Sequence, residues 1–285
     1  MKTQRKIQWQ INPTPVSDGA GVKLNRLIAT PQLDYLDPFL LLDHFGSENK
    51  DDYIAGFPEH PHRGIETVTY MLKGKVTHKD TMGNEGTISA GDIQWMTAGG
   101  GLMHEEMPIA TEEGLSGFQL WVNLPKDLKM SKPRYQEIKA DKIPVFDENG
   151  VKVKVIAGKV GEVEGAVTEI YAEPNYLDVT LEANAEFSHP ITIGHNAFAY
   201  IFDGSADFDD SGNFVGSPKL IVLTDGDFVK IKAGENGARF LLVSGKPLNE
   251  PVARYGPFVM NTREELYQAV EDLQNGTFVW SEDKK

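Results

Sequence analysis

The feature that most constrains this chain is how often it is interrupted. Segments rich in Val, Ile, Thr, Phe and Tyr are cut at short intervals by Gly, Pro, Asp and Asn. Ile65 to Leu72 ends at Lys73-Gly74, Thr87-Ile88 ends at Ala90-Gly91-Asp92, Gly117 to Leu124 ends at Pro125, and Leu177 to Leu181 is equally short. These are strand lengths, not helix lengths. The texture is that of sandwiches and barrels, so the fold class is all-β. One helix is predicted near the C-terminus. Thr262 with Glu265 forms a capping box, Leu266, Ala269, Val270 and Leu273 share a face, and Gly276 ends it. It is expected to pack as a lid across a barrel.

The two halves resemble each other. Tyr70-Met-Leu-Lys-Gly74, Ala90-Gly91-Asp92 and Ala98-Gly99 return as Tyr200-Ile-Phe-Asp-Gly204, Asp225-Gly226-Asp227 and Ala233-Gly234, at nearly the same spacing. A duplicated chain of 285 residues is natural as two domains. The charged, proline-containing stretch from Pro125 to Pro144 interrupts the strand pattern and marks the boundary, which gives domains at 1–130 and 131–285.

There are no cysteines, so disulfides, thiolate nucleophiles, iron–sulfur clusters and cysteine-bound zinc are excluded. Any metal must rest on imidazole and oxygen. The formal net charge of −14 has the wrong sign for gripping phosphate backbones, and no basic cluster offsets it. Direct nucleic-acid binding is not expected. The first residues lack an apolar signal core, and no stretch reads as a membrane span, so a cytoplasmic protein with no membrane association is expected.

The chemistry concentrates in two motifs. In Phe57-Pro-Glu-His60-Pro-His62-Arg-Gly64-Ile-Glu66, His60 and His62 lie two residues apart, and on an extended strand such residues point to one face. Glu66 has the same parity. Pro61 cannot donate to a ladder, which predicts a strand edge or an entrance. In Leu102-Met-His104-Glu-Glu106-Met-Pro108, His104 and Glu106 share a face and Glu105 points away. Two such pairs can close one site. Three imidazoles and one carboxylate leave open positions on a six-coordinate divalent transition metal, Fe(II), Mn(II), Ni(II) or Cu(II), with Zn(II) also acceptable. Both Glu66 and Glu106 are available as the carboxylate. Between the motifs, Gly99-Gly100-Gly101 permits a turn that carries the chain back to the metal.

These residues resemble the pirin family of bicupins. The resemblance is carried by Asp37-Pro-Phe-Leu-Leu-Leu-Asp43-His44-Phe45, Phe57 through Val68, Gly91 through Gly101, His104-Glu-Glu-Met-Pro108 and Gln119-Leu-Trp-Val-Asn-Leu124. It implies two cupin-type β-barrels, with one metal, commonly iron, in the N-terminal barrel on His60, His62, His104 and Glu106. The preference for Glu106 over Glu66 is the family's. Some pirins resemble quercetin 2,3-dioxygenases, which implies a flavonol such as quercetin and dioxygen as substrates and Glu106 as ligand and base. Others act through protein partners, as transcriptional co-regulators or enzyme modulators. Projecting the first motifs onto the second half places Pro190, Thr192, Arg239 and Leu241 opposite the ligands, so the C-terminal copy is expected to be degenerate, without metal.

The remaining residues have plainer readings. His44 is expected in a hydrogen-bonded structural role beneath the site, and His78, beside turn residues, at the surface. His189 and His195 read as surface or core-edge histidines. Arg63 either pairs with a carboxylate near the metal or covers apolar surface. Phe57, Trp95, Met96, Met103 and Met107 read as barrel core before they read as a substrate pocket.

Overall fold

The computed structural model describes residues 2–282 of the 285. Strands dominate, as expected, and they form two compact units. One consists of Thr14–Tyr35, Phe39–Ala140 and Leu248–Lys285; the other of Met1–Pro13, Leu36–Pro38 and Asp141–Pro247. The chain is therefore not divided by one cut between residues 130 and 131. The stretch expected to be a linker contains the strand Arg134–Ile138, which pairs with Ile93–Thr97 and extends the first unit to Ala140. At the chain's start, Ile7–Ile11 pairs with Lys219–Leu223 in the second unit. Buried Arg5 anchors it there by donating to the carbonyls of Gly226, His195, Thr224 and Thr192.

The first unit is built mainly from two antiparallel sheets, with a two-stranded hairpin of Ala253–Tyr255 and Phe258–Met260 beside them. A seven-stranded sheet runs Arg134–Ile138, Ile93–Thr97, Ile65–Lys73, Leu115–Asn123, Phe39–Ser47, Val22–Ile28, Thr14–Asp18. A four-stranded sheet runs Phe57–His62, Leu102–Ile109, Lys75–Asp80, Glu85–Ser89. Val22, Leu24, Phe45, Met71 and Leu115 of the larger sheet pack with Val76 and Ile88 of the smaller, which is the closed interior that a barrel requires. The second unit holds a nine-stranded sheet centred on the 18-residue strand Phe228–Gly245, over a core of aliphatic and phenylalanine side chains.

The C-terminal helix spans Arg263–Gln274 and begins as expected. Thr262 Oγ1 accepts from the Glu265 N–H at 3.2 Å, and Glu265 Oε2 accepts from the Thr262 N–H at 3.0 Å. Ala269, Leu266 and Val270 pack against Phe258 and Phe278 of the first unit, whereas Leu273, expected on the same face, is exposed. Among the described residues, no helix is long and apolar enough to cross a membrane.

Alternation along the strand Phe39–Ser47 separates two roles. Leu41, Asp43 and Phe45 face the interior cavity, while His44 faces the other way. Its ring lies 4.6 Å from that of Phe118, and its Nε2 is 3.3 Å from Ser116 Oγ. The structural role holds, on the sheet face away from the metal motifs. Burial pulls the His44 imidazole down to about 4. The unfolded chain takes up this proton near its ordinary value and the folded chain only near 4, so stability is complete at neutral pH and falls as pH drops from about 6.5 towards 4, by up to about 3 kcal/mol. Urea unfolding across that window, with a chelator present, is expected to show the decline in the wild type and a shallower one in His44→Gln.

Candidate metal centre

Strand pairing assembles the site. Phe57–His62 lies at the edge of the four-stranded sheet, the position that Pro58 and Pro61 favour. Its neighbour Leu102–Ile109 pairs with it so that His104 lies directly opposite His60 and Leu102 opposite His62. Directly paired side chains on one face meet at about 5 Å. The i, i+2 pair on the edge strand and the cross-strand partner thus converge, with ring centroids 4.9 Å apart for His60–His62, 4.3 Å for His60–His104 and 5.0 Å for His62–His104. One donor atom from each of the three lies within 4.8 Å of the others.

The ring nitrogens are sorted in the way a metal ligand needs. Nδ1 of His60 is 2.9 Å from the Pro58 carbonyl, and Nδ1 of His62 is 3.4 Å from the Pro257 carbonyl. Nδ1 of His104 is 3.5 Å from His78 Nδ1, and its Nε2 is buried without a hydrogen-bond partner. With each Nδ1 occupied, each Nε2 is left to an ion. An orphaned buried nitrogen costs about 1–3 kcal/mol unless something binds it, so the donor set fits a metal. Burial, reinforced by neighbouring imidazoles, holds His62 and His104 well below the ordinary histidine range and therefore neutral, the form that coordinates.

The two candidate carboxylates part company. On Leu102–Ile109 burial alternates as predicted, with His104 and Glu106 inward and Glu105 more exposed. A register shift between His104 and Glu106 places Glu106 opposite Phe57, a bulge of the kind that re-aims side chains beside active sites. Glu106 accepts from Thr69 Oγ1 at 2.8 Å and Gln119 Nε2 at 2.9 Å. It faces the same cavity as His60 and His62 but lies outside the three-histidine cluster. Glu66, in contrast, is on the other sheet, because Arg63 and Gly64 end one strand before the next begins at Ile65. Parity does not carry across that turn. Burial pushes the Glu66 carboxyl up to about 7 against the hydrogen bond from Thr97 at 2.7 Å, and Glu66 is not among the residues lining the cavity.

The part of the chain after Leu248 braces the loop that joins the two histidines' strand to the next. Buried Arg63 donates to the carbonyls of Gly100 and Phe278 and pairs with Asp272 of the helix at 2.7 Å. The carboxylate it finds belongs to the C-terminal helix and not to the cavity lining, and its guanidinium covers the Phe278 ring, which is the apolar-covering reading. Lys129, which lies in the stretch read as a linker, was not singled out by sequence. It is 1% exposed, and its Nζ donates to Gly64 O, Asn123 Oδ1 and Val259 O at 2.7–2.9 Å. Nothing local in Lys-Asp-Leu-Lys-Met-Ser-Lys distinguishes it from its exposed neighbours. Gly64 has φ +81°, and a Cβ there would strike the Val259 carbonyl, so only glycine permits the close approach. The three-glycine stretch turns as expected, with Gly99 and Gly101 at positive φ and the Gly101 N–H donating to Ala98 O at 3.0 Å, while Gly64 N–H donates to Gly99 O and Trp280 N–H to Gly101 O.

His78 corrects the sequence reading most sharply. Instead of lying at the surface it is fully buried, 3.2 Å from Asp80 Oδ2 through Nε2 and against His104 through Nδ1. Its strand, Lys75–Asp80, is the inner neighbour of the ligand strand, so inward-facing positions lie under the site. Turn residues on one side gave no sign of this. His189 and His195 are also buried in the second unit, and burial lowers both. Among the described residues, the histidine trio is the cluster with metal-holding geometry. Trp95 and Met96 are core, as read, while Phe57 lines the cavity.

An all-β chain of two barrel units with a histidine-lined cavity in one of them is a bicupin. The family model Pirin matches residues 21–122, and the model described as the pirin C-terminal cupin domain matches residues 176–279. A pirin-like protein of Caulobacter vibrioides is 46% identical over 96% of this chain and 99% of its own length. The crystal structure of a quercetin 2,3-dioxygenase from Acinetobacter baumannii has a TM-score of 0.87 at 36% identity, covering 97% of this chain and 99% of that one. A bacterial pirin from Escherichia coli, solved in complex with nickel(II), shares the fold with a TM-score of 0.64 at 20% identity, over 82% of this chain and 96% of that one. The chain belongs to the pirin family.

Elemental analysis of purified variants tests the ligand set. His60→Ala and His104→Ala are expected to lose metal, Glu106→Gln to bind it at least about 10-fold more weakly, and Glu66→Gln to retain it. Metal loss in Glu66→Gln with retention in Glu106→Gln would reverse the assignment.

Proposed function

We propose that this protein is a mononuclear metal-dependent dioxygenase acting on flavonols such as quercetin, with His60, His62, His104 and Glu106 as the metal set. The observation that carries the reading is the cavity that His60, His62 and Glu106 line. It measures about 560 Å³, within the range of about 300–1,000 Å³ usual for small-molecule sites, and Leu24, Leu41, Phe45, Phe57 and Trp121 give it apolar walls for a flat aromatic. A divalent transition metal, iron by the family resemblance, would supply a Lewis acid and a template for the flavonol oxygens and dioxygen.

The protein's own groups divide the remaining work. Glu106 is held by Thr69 and Gln119 facing the cavity, and its carboxylate would take the proton of a flavonol hydroxyl, leaving an electron-rich enolate-type ring for dioxygen to add to. Arg26 also lines the cavity, but its guanidinium is satisfied by Asp43 at 2.7 and 2.9 Å and by Asp18 at 2.7 Å. Arg254 is different. It donates to the Leu40 carbonyl at 3.1 Å and lies 5.1 Å over the Trp121 ring, and among the described residues it has no carboxylate within ion-pair distance. Burial lowers its pKa from the ordinary arginine value despite the nearby carboxylates of Asp34, Asp43 and Asp18, so an anionic oxygen entering the cavity would give this buried cation a direct partner.

Aerobic assay of metal-loaded protein is expected to show coupled loss of quercetin and dioxygen, abolished by chelator and in His62→Ala. In Arg254→Ala, KM should rise about 10-fold with a smaller change in kcat. Metal-loaded protein that consumes neither substrate would overturn the reading.

A further inference from the structure

We propose that Asp80 and His78 are positioning residues for the metal-binding nitrogen of His104, linked to it as a buried carboxylate–imidazole–imidazole chain that fixes the His104 tautomer and strengthens its Nε2 as a donor. The inference rests on the reading that His60, His62 and His104 hold the metal.

The direction of each hydrogen bond follows from what each group can do. Asp80 Oδ1 accepts from the backbone N–H groups of Met82 at 2.9 Å and Asn84 at 3.0 Å, and Oδ2 accepts from Asn84 Nδ2 at 2.8 Å. A carboxylate so surrounded by donors is an acceptor, so the His78 Nε2 at 3.2 Å carries the proton and donates. A neutral imidazole that is N–H at Nε2 has a lone pair at Nδ1. With His78 neutral, that lone pair faces His104 Nδ1 at 3.5 Å, and His104 then carries its proton on Nδ1. Its Nε2 is then a bare lone pair, and this atom is the one left buried without a partner.

The arrangement singles out one ligand of the three. His60 and His62 place Nδ1 against neutral carbonyls, whereas His104 alone reaches a carboxylate, through an imidazole. Polarisation along such a chain raises the basicity of the outer nitrogen, and partners of this type commonly govern metal affinity. His78 is fixed against rotation by the Tyr135 ring stacked on it, 5.0 Å away at 30°, and both His78 and His104 are closed to water.

Two measurements on the full chain decide the matter. The first is the nickel(II) dissociation constant, by competition with a chromophoric chelator, for the wild type and three variants whose folding is checked by circular dichroism. His78→Phe keeps the ring stacking and removes the acceptor, and should weaken binding about 10–100-fold. His78→Asn, whose Oδ1 replaces Nδ1, should restore most of it, and Asp80→Asn should fall between. Equal affinity in all four would overturn the proposal. The second is long-range proton–nitrogen NMR of the metal-free wild type, which should show His104 as the Nδ1–H tautomer. The Nε2–H tautomer would overturn the proposal whatever the variants do. A wild type that binds no nickel would instead refute the metal reading, while the NMR result still decides the tautomer.

Discussion

The registered pairing of Phe57–His62 with Leu102–Ile109 is the contact on which the rest depends. It sets His60 against His104 and brings His62 alongside, so three imidazoles meet without any loop having to find them. A slip of one residue would turn every side chain of the edge strand to the other face and dissolve the site. The bulge one step further along corrects the aim of Glu106 while leaving the histidine register intact. Precision comes from the backbone ladder, and adjustment from a single irregularity in it.

A ladder at a sheet edge needs bracing, which explains why the chain's far end returns to the first unit. Arg63 and Lys129 are both buried cations whose donors converge on carbonyls around the loop after His62 and on the segment after Leu248. Gly64 and Gly101 remove the side chains that would hold that segment away. The His62 imidazole is itself oriented by the Pro257 carbonyl, and Arg254 and Gly256 help to wall the cavity. Histidine orientation and cavity shape thus share one support, and a cluster of charged donors buried at this cost is understandable only because their acceptors are so complete.

Much of this was legible in the sequence, for reasons that can be named. Strand periodicity is local, so the all-β class, the inward face of His104 and Glu106, and the edge placement that Pro61 implies all follow from residues close together in the chain. The capping box of the last helix is local for the same reason. What the sequence left open or hid is equally instructive. Glu66 has the right parity with His60 and His62, but parity fails where Gly64 takes a positive φ and the chain changes sheets. Lys129 and His78 lie in polar surroundings in sequence and are buried by strands distant from them in the chain.

By itself, then, the sequence determined the elements, the family and the residue types able to hold a metal, because these depend on alternation, turn chemistry and motif spacing. Only the tertiary structure decided which carboxylate shares the cavity, which end of the chain belongs to which unit, and that His78 links a carboxylate to His104. Those outcomes turn on register and on contacts between segments far apart in the chain, where each side chain's surroundings are set by residues that its own neighbours in sequence do not specify.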